Sequence, residues 1–369
     1  MHHFDFQRLQ GIGLTAELAD RAHIACADLN LDSPPELLRV TAVHRETVRV
    51  HDGIVERVAR VLARLLRDGF DDASALAVGD WVLSLSDGDG DSDGAACRVH
   101  ARVAPTSHIA RRDGDGSRHP VVSNVDHALV VMGLDDDFSP RRLERYLALV
   151  HASSVAPLVV LTKADVAAAD PALRDERIAG LRERIADLPE LFVVDATDPA
   201  TAGFFAAITG FGRTLVVMGS SGAGKSTLTN TLIGASVQDT GEVRANDGRG
   251  MHTTTARTLH RLPGGACIID TPGLRTLRPD SDERTLLASF GDVESLSLRC
   301  RFRDCTHGSE PGCAVREGVA ADRLDNFQKM LRETRRDGMT WVERRQQLSA
   351  WKSRGREARV RMKMKREGG

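Results

Sequence analysis

The sequence contains no run of about twenty apolar residues, which is the length an α-helix needs to cross a bilayer, and it therefore predicts no membrane span. Its first residues, MHHFD, lack the basic stretch followed by an apolar stretch that begins a secretory signal, so we expect a cytoplasmic protein. Only 6 cysteines occur in 369 residues, and in such a chain they are not expected to form a disulfide framework. Cys26, Cys97 and Cys267 are scattered, and we interpret them as small apolar residues.

The chain also lacks a strong net charge, because 50 Lys and Arg stand against 52 Asp and Glu. The charges are unevenly distributed, however. Acidic residues crowd into 87–93 and 135–137, whereas Lys and Arg dominate residues 329–366. A nearly neutral protein can therefore present a cationic end that attracts phosphates, and this is compatible with a solvated helix followed by a disordered tail.

The length predicts two or three domains rather than one core. Residues 1–36 have a short helical pattern that ends at Pro34 and Pro35. Short β-rich runs separated by turn residues follow from 37 to 104 and are typical of a small barrel. A nucleic-acid-binding barrel of the OB type and a purely structural barrel are equally compatible with these runs. Residues 105–121 have the composition of an exposed linker.

Alternating Asp residues at 87–94 and 113–116 raise the possibility of a calcium loop. Counting from Asp89 places His100 where such a loop needs a bidentate glutamate, and the flanking residues have the pattern of strands rather than helices. We interpret the first run as a solvated hairpin loop, with calcium binding as the less favoured alternative. The second run lies in the predicted linker.

From residue 122 to 290, continuous apolar runs alternate with helical patterns. This rhythm predicts a mostly parallel sheet covered on both faces by helices. The apolar runs lie at 128–132, 158–161, 191–194, 215–218 and 267–269. Ligands of such sheets bind at the carboxyl ends of the strands, and motifs are expected there.

The strongest motif is GSSGAGKS at residues 219–226, which follows an apolar run and precedes a helical stretch. This is the order of strand, glycine loop and helix that a nucleoside triphosphate-binding loop requires. The glycines let backbone N–H groups surround phosphate oxygens, Lys225 supplies a charge for the β- and γ-phosphates, and the Ser226 hydroxyl is a candidate magnesium ligand. An ordinary Gly/Ser-rich turn is the disfavoured alternative, because the strand and helix patterns are both present.

Two further motifs follow other apolar runs of the predicted sheet. Residues 270–273 read DTPG, so that Asp270 can hold the water shell of Mg²⁺ and the Gly273 N–H can meet the γ-phosphate. Residues 162–165 read TKAD, and the Asp165 carboxylate can accept both the ring N–H and the exocyclic amine of guanine. Alone, TKAD is more typical of a surface turn, but beside the other two motifs it predicts guanine recognition.

Two weaker candidates complete this site. Asp195 and Ala196 follow the next apolar run and are placed to bring a backbone N–H to the guanine O6. Residues 249–255 read RGMHTTT, and their threonines can close over Mg²⁺ and the γ-phosphate as a mobile switch. Because the guanine motif precedes the phosphate loop, the reverse of the usual order, the sequence predicts a circularly permuted domain.

The last domain begins with a cluster that has the spacing Cys300-x4-Cys305-x-His307-x5-Cys313. Three thiolates and an imidazole suit tetrahedral Zn²⁺, and a closed set of four protein ligands predicts one structural zinc per chain. Reduced cysteines that merely cluster are disfavoured because a histidine lies between them.

In combination, these motifs resemble the circularly permuted ribosome small-subunit-dependent GTPases of the RsgA or YjeQ family. The similarity also includes FRDCTHGSEPGC at 302–313, SNVD at 123–126 and GDWV at 79–82, and it spans residues 37–327. It implies a multidomain α/β protein with an N-terminal OB-type β-barrel (37–104), a circularly permuted P-loop GTPase domain (122–290) and a C-terminal zinc-binding helical domain with a basic tail (291–369). A helical extension (1–36) and the linker (105–121) complete this division.

The resemblance implies a protein that binds the small ribosomal subunit, both rRNA and ribosomal proteins, during late maturation. Hydrolysis of GTP to GDP and phosphate would be stimulated by the subunit and followed by release, and we expect a monomer without membrane contact. The apolar Leu274 follows DTPG where many GTPases carry the Gln that orients water. His252 matches the switch histidine proposed for that task, so His252 and Lys225 are the implied catalytic residues, and Ser226 and Thr254 the implied magnesium ligands.

Two positions depart from the family pattern. Thr162 stands where the strict guanine motif has Asn, and Asp195 with Ala196 replaces the commoner Ser-Ala. A threonine can still form the short-range hydrogen bonds, so guanine preference is expected to persist. The predicted nucleotide-binding residues are Thr162, Lys163, Asp165, Asp195, Ala196, Gly219, Ser220, Ser221, Gly222, Ala223, Gly224, Lys225, Ser226, Thr227, Asp270 and Gly273.

Two other function classes remain open at this point. A GTP-controlled scaffold would bind its partner without significant turnover. A nucleic-acid-binding ATPase would need only a phosphate loop and a basic surface, and the TKAD motif argues against it.

Overall fold

The computed structural model describes residues 4–29, 33–44, 47–63, 65, 75–86, 97–112, 118–235, 257–271, 278 and 280–337. Several predicted features lie outside these residues: both alternating Asp runs, the switch with His252 and Thr254, Gly273 with Leu274, and the basic tail beyond residue 337.

Among the described residues, two helices precede a series of strands, helices and strands alternate in the middle of the chain, and four helices follow. The helices are α1 (Phe6–Gln10), α2 (Ala16–Ala27), α3 (Pro140–His151), α4 (Ala164–Ala167), α5 (Pro171–Arg184), α6 (Thr201–Phe204), α7 (Lys225–Ile233), α8 (Glu283–Ala288), α9 (Gly291–Ser297), α10 (Ala314–Gly318) and α11 (Ala321–Asp337). The strands are β1 (Glu36–Val43), β2 (Thr47–His51), β3 (Glu56–Val61), β4 (Trp81–Ser86), β5 (Cys97–Arg102), β6 (His108–Arg112), β7 (Arg118–Ser123), β8 (His127–Gly133), β9 (Ala156–Thr162), β10 (Leu191–Val193), β11 (Thr214–Gly219), β12 (Thr258–Arg261) and β13 (Cys267–Asp270). Every helix among the described residues is too short or too polar to span a bilayer.

Strands β1 to β5 close into a barrel in the order β1-β2-β3-β5-β4. The pair β3 and β5 is parallel, and the other neighbours are antiparallel. Inward-facing aliphatic side chains from all five strands, such as Val40, Val50 and Val99, fill its interior. The predicted small barrel is therefore confirmed. The sequence did not indicate β3, because its charged residues interrupt the apolar pattern.

A six-stranded sheet forms the centre of the next domain, in the order β10-β9-β8-β11-β13-β12. The first five strands are mutually parallel, and β12 is antiparallel to β13. Side chains on both faces of β8, β9 and β11 are buried, which explains their continuous apolar sequences. The predicted mostly parallel sheet is confirmed, and it carries β12 as an additional antiparallel edge strand.

The prediction of an exposed linker at residues 105–121 is wrong for its described part. Strands β6 and β7 pair there as an antiparallel two-stranded sheet. Ile109, Ala110 and Val121 are buried, and Ile109 and Val121 belong to the main core. Arg and His residues dilute the apolar pattern of both strands and give the sequence the appearance of a solvated segment.

The amino-terminal helices pack onto the main core through buried residues such as Leu9. Behind them, the fully buried guanidinium of Arg39 donates hydrogen bonds to the carbonyl oxygens of Ile12 and of Asn124, the latter at 3.0 Å. The guanidinium also lies 5.6 Å from the ring centroid of Trp81. One buried cation thus connects the amino-terminal segment, the barrel and the start of the GTPase domain.

Helices α8 to α11 form a separate small core that packs against α3. The contact between the two is polar at its centre, where the buried carboxylate of Glu144 on α3 accepts four hydrogen bonds. They come from Arg184 Nε at 2.6 Å and Nη2 at 3.2 Å, from Arg323 Nη1 at 2.7 Å and from Asn326 Nδ2 at 2.6 Å. Arg323 also donates to Asp292 at 2.7 Å. This network joins α3 and α5 of the GTPase domain to α9 and α11.

Candidate nucleotide site and metal centre

The phosphate loop connects β11 to α7 at the carboxyl edge of the sheet. Gly222 and Gly224 have φ angles of +83° and +85°, a backbone region that favours glycine. Gly219 also leaves no room for a side chain, because a Cβ there would lie 2.3 Å from the carbonyl oxygen of Val131 on β8. The sequence therefore folds here into a tight turn that leads directly into a helix amino terminus.

Lys225 and Asp270 place two buried charged groups beside this loop. Lys225 donates from Nζ to the carbonyl oxygen of Ser220 at 2.6 Å. Burial lowers the pKa of Lys225, while the nearby carboxylates of Asp270 and Asp137 oppose this effect. Burial raises the pKa of Asp270 to about 6 against the influence of Lys225.

The buried carboxylate of Asp270 fits a magnesium site. It is 1% exposed, and neither of its oxygens has a hydrogen-bond partner among the described residues. Leaving such a group without a partner is costly, and a hard cation or its water shell would satisfy it. The Ser226 hydroxyl in the first turn of α7 would be a second oxygen of the type that Mg²⁺ prefers.

Thr162 ties the guanine motif to the phosphate loop. It is fully buried, and its Oγ1 donates to the carbonyl oxygen of Ala223 at 2.6 Å. The following residue, Lys163, has a φ of +60°, so the chain turns sharply before α4 begins at Ala164. Asp165 lies exposed in the first turn of α4. The threonine at the usual Asn position therefore retains a short hydrogen bond between the two motifs.

The segment after β10 is linked to the same site. The carbonyl oxygen of Ala196 accepts a hydrogen bond from Thr231 Oγ1 on α7 at 2.6 Å. Asp195 Oδ1 accepts from Thr197 Oγ1 at 2.6 Å and from Thr197 N at 2.8 Å, and these hydrogen bonds lower the pKa of Asp195. The Asp195 carboxylate is therefore occupied in shaping its own turn.

The described candidates thus lie at one edge of the sheet, at or just after the carboxyl ends of β9, β10, β11 and β13. They comprise Thr162, Lys163, Asp165, Asp195, Ala196, Gly219, Ser220, Ser221, Gly222, Ala223, Gly224, Lys225, Ser226, Thr227 and Asp270.

Sequence reasoning missed two site residues that follow β8. Asp135 Oδ2 accepts a hydrogen bond from Lys163 Nζ at 2.5 Å, and Asp137 Oδ2 accepts one from Ser220 Oγ at 2.6 Å. Residues 135–137 appeared only as part of an uneven charge distribution. Their position directly after an apolar run of the parallel sheet was the available signal, because β8 lies between β9 and β11.

Cys300, Cys305, His307 and Cys313 come together as predicted, with their ligand atoms all within 4.8 Å of one another. Cys300 Sγ lies 3.9 Å from Cys313 Sγ and 3.7 Å from His307 Nδ1, and the distance from Cys313 Sγ to His307 Nδ1 is 3.5 Å. Tetrahedral zinc with Zn–S distances of about 2.3 Å separates its sulfur ligands by about 3.8 Å. The donor set and its spacing therefore fit a zinc ion.

The surrounding loop is shaped around this cluster. His307 has a φ of +59°, and its carbonyl oxygen accepts a hydrogen bond from Gln328 Nε2 on α11 at 2.7 Å. Glu310 accepts hydrogen bonds from the backbone N–H groups of Thr306 at 3.0 Å and Gly308 at 2.8 Å. With the Thr306 hydroxyl as the largest influence, hydrogen bonds lower the pKa of Glu310 to about 2.

Two thiols of the cluster have pKa values shifted in opposite directions. Burial raises the pKa of Cys300, but hydrogen bonds from the N–H groups of Val315 and Ala314 at the start of α10 and with the thiols of Cys305 and Cys313 together bring it below its usual value. Burial and the two neighbouring thiols raise the pKa of Cys305 to about 11.

Comparison with known proteins identifies the family. A family model described as RsgA GTPase matches residues 103–279. A small ribosomal subunit biogenesis GTPase RsgA from Xanthomonas oryzae pv. oryzae (strain MAFF 311018) is 45% identical over 269 residues, which cover 72% of this chain and 70% of that protein. The chain belongs to the RsgA GTPase family. It is accordingly a GTP hydrolase.

A second curated relative and two solved structures match more of the chain. The RsgA from Xanthomonas axonopodis pv. citri (strain 306) is 42% identical over 303 residues, or 80% of each protein. The match to the crystal structure of YjeQ from Thermotoga maritima covers 82% of this chain and 99% of the YjeQ chain at 21% identity, with a TM-score of 0.57. The match to the structure of YloQ, a circularly permuted GTPase, covers 85% of this chain and 99% of the YloQ chain at 21% identity, with a TM-score of 0.56. The predicted family and the multidomain, circularly permuted fold are confirmed.

Proposed function

We propose that this GTP hydrolase assists late maturation of the small ribosomal subunit, binds the subunit in its GTP form and leaves it after hydrolysis. The main support is that one chain combines a closed barrel, a permuted GTPase sheet and a Cys3His centre. Its relatives are named small ribosomal subunit biogenesis GTPases. Such a protein would contact rRNA and ribosomal proteins, and we propose that it acts as a monomer in the cytoplasm.

In this proposal the nucleotide lies along the carboxyl edge of the sheet. Asp165 would read guanine through two hydrogen bonds, and the backbone at Ala196 would meet its O6. The backbone of the phosphate loop and Lys225 would hold the phosphates, since the amino terminus of α7 and the buried cation both favour negative charge. Mg²⁺ would be held by Ser226 and by water bound to Asp270, with Thr254 of the switch as a further ligand.

We propose that His252 of the switch activates the attacking water and that Lys225 neutralises the charge that develops on the phosphates. A neutral imidazole can accept a proton from water when the γ-phosphate orders its loop. His252→Ala should then leave GTP affinity nearly unchanged while the rate of hydrolysis falls. An unchanged rate would mean that another group activates the water, either in this protein or on the ribosome.

The partner surfaces lie before and after the GTPase domain in the chain. We propose that the five-stranded barrel is of the OB type and binds RNA, and that the zinc-stabilised helices and the basic tail add contacts to RNA backbone or ribosomal proteins. The segment after Asp270 leads directly to α8, α9 and the Cys3His centre. Rearrangement at the γ-phosphate therefore has a short covalent route to the helical domain, so the GTP and GDP forms should bind the subunit with different affinities.

Co-sedimentation with isolated small subunits tests this proposal. Binding should be tight with a non-hydrolysable GTP analogue, weaker with GDP, and weaker still as salt is added, because phosphate contacts release counterions. Equal sedimentation in both nucleotide states would contradict the proposed nucleotide control. No sedimentation in either state would contradict the choice of partner.

A further inference from the structure

The loop that follows β8, residues 134–139, lies between the two halves of the proposed nucleotide site. Strand β8 pairs on one side with β9, which leads to the guanine motif, and on the other side with β11, which leads to the phosphate loop. The loop is also attached to the end of β9, because Leu134 N donates to the carbonyl oxygen of Thr162 at 3.0 Å. A side chain in this loop can therefore contact either half.

Asp137 contacts the phosphate half, and each of its carboxylate oxygens has its own partner. Oδ2 accepts from Ser220 Oγ at 2.6 Å, and Oδ1 accepts from Arg142 Nη2 at 2.5 Å. Arg142 neutralises the carboxylate and fixes its orientation by a second hydrogen bond to the Asp137 backbone carbonyl. The Asp137 carboxylate is thus oriented by Arg142 to accept a hydrogen bond from the hydroxyl of a phosphate-loop residue.

Asp135 contacts the guanine half. Its Oδ2 accepts from Lys163 Nζ at 2.5 Å, and its Oδ1 accepts from the backbone N–H of Asp137 at 3.1 Å. The Asp135 carboxylate is therefore hydrogen-bonded to the backbone of Asp137 within one short loop. The exposed Asp136 lies between them and is not a partner in the hydrogen bonds to Lys163 and Ser220.

We infer that Asp137 is a positioning residue that holds the phosphate loop ready for nucleotide through Ser220, and that Asp135 does the same for Lys163 of the guanine motif. The inference rests on the proposed nucleotide-binding role of these two motifs. A loop that is ordered before binding loses less conformational entropy when the ligand arrives, so these hydrogen bonds strengthen nucleotide binding.

A competing electrostatic effect has the opposite sign. A carboxylate close to the phosphates repels them, and its removal would then strengthen binding. The ion pair with Arg142 compensates the charge of Asp137, which favours positioning over repulsion. Substitutions that change the charge and the hydrogen bond separately distinguish the two effects.

The experiment is a double-mutant cycle read by titration of the full-length protein with a fluorescent GDP. Asp137→Ala should weaken GDP binding about tenfold, the size expected for one hydrogen bond to a charged group. In a Ser220→Ala background the same substitution should change the affinity less than about twofold, because the hydrogen bond is already absent. Asp135→Ala and Lys163→Ala form a parallel cycle.

Two variants serve as controls. Asp137→Asn keeps a carbonyl oxygen that can accept from Ser220, and it should retain GDP affinity within about threefold. Asp136→Ala removes the same charge from the same loop without the hydrogen bond, and it should bind GDP as the unmodified protein does. Thermal melting without nucleotide identifies any variant that is not folded.

Tighter GDP binding by both Asp137→Ala and Asp137→Asn would overturn the inference in favour of repulsion. A tenfold loss that persists in the Ser220→Ala background would also overturn it, because the effect would not pass through Ser220. If the unmodified protein and Asp136→Ala did not bind GDP at all, the proposed nucleotide site itself would be contradicted.

Discussion

Glu144 offers the sharpest stability test of how the helical domain is attached to the GTPase domain. Its side chain is 2% exposed, and it faces Arg323 and Arg184, which are 4% and 14% exposed. Removing one partner from a buried ion pair typically costs about 3–5 kcal/mol because the remaining charge has lost its counter-ion and its access to water. Here both arginines keep a second carboxylate, Asp292 for Arg323 and Asp322 for Arg184. We therefore expect Glu144→Ala to lower the stability of this attachment by the lower end of that range, about 3 kcal/mol.

Hydrogen–deuterium exchange along α11 measures this loss locally. A loss of about 3 kcal/mol corresponds to exchange about 100-fold faster, since each 1.4 kcal/mol is a factor of ten. Asp322→Ala is the matched control: this carboxylate pairs with Arg141 and Arg184, but it is 50% exposed. An exposed ion pair contributes about 1 kcal/mol or less, so the loss of two such pairs should accelerate exchange no more than about 30-fold. Equal acceleration of exchange in the two variants, or a change of less than fivefold in Glu144→Ala, would show that Glu144 does not stabilise the attachment of α11.

Three further outcomes are expected. Asp165→Asn should no longer bind GTP and should instead bind xanthosine triphosphate. If ATP and GTP competed equally for the unmodified protein, Asp165 would not select guanine. Lys225→Ala should lower turnover far more than it lowers the melting temperature, whereas near-normal turnover would contradict the role of the phosphate loop. Protein purified without chelators should contain one zinc per chain, and Cys305→Ser should lose it together with exchange protection of α10; metal analysis that finds no zinc would refute this.

The sequence predicted those parts of the fold and site in which local pattern and chemistry coincide. Strands β8, β9 and β11 are buried on both faces, so their apolar runs are continuous, and the glycines of the phosphate loop are required by backbone geometry. Strands β3, β6 and β7 carry charged residues among apolar ones, because at least half of the positions in each are not fully buried, and their patterns were correspondingly weak.

Contacts between distant parts of the chain were beyond such reasoning. Glu144 and Arg323 are separated by 179 positions, and Asp137 and Ser220 by 83. Each of these residues is an ordinary charged or polar residue in its own segment. Only the order of the strands in the sheet and the docking of α11 on α3 bring them together.

The rate of GTP hydrolysis, measured with and without isolated small ribosomal subunits, shows whether the small subunit controls this GTPase. We expect a slow intrinsic rate that the subunit raises, because a subunit that prefers the GTP form also favours the ordered switch. The large ribosomal subunit at equal concentration is the control and should have little effect. Phosphate release that is the same with and without the small subunit would contradict the proposed control by the small subunit.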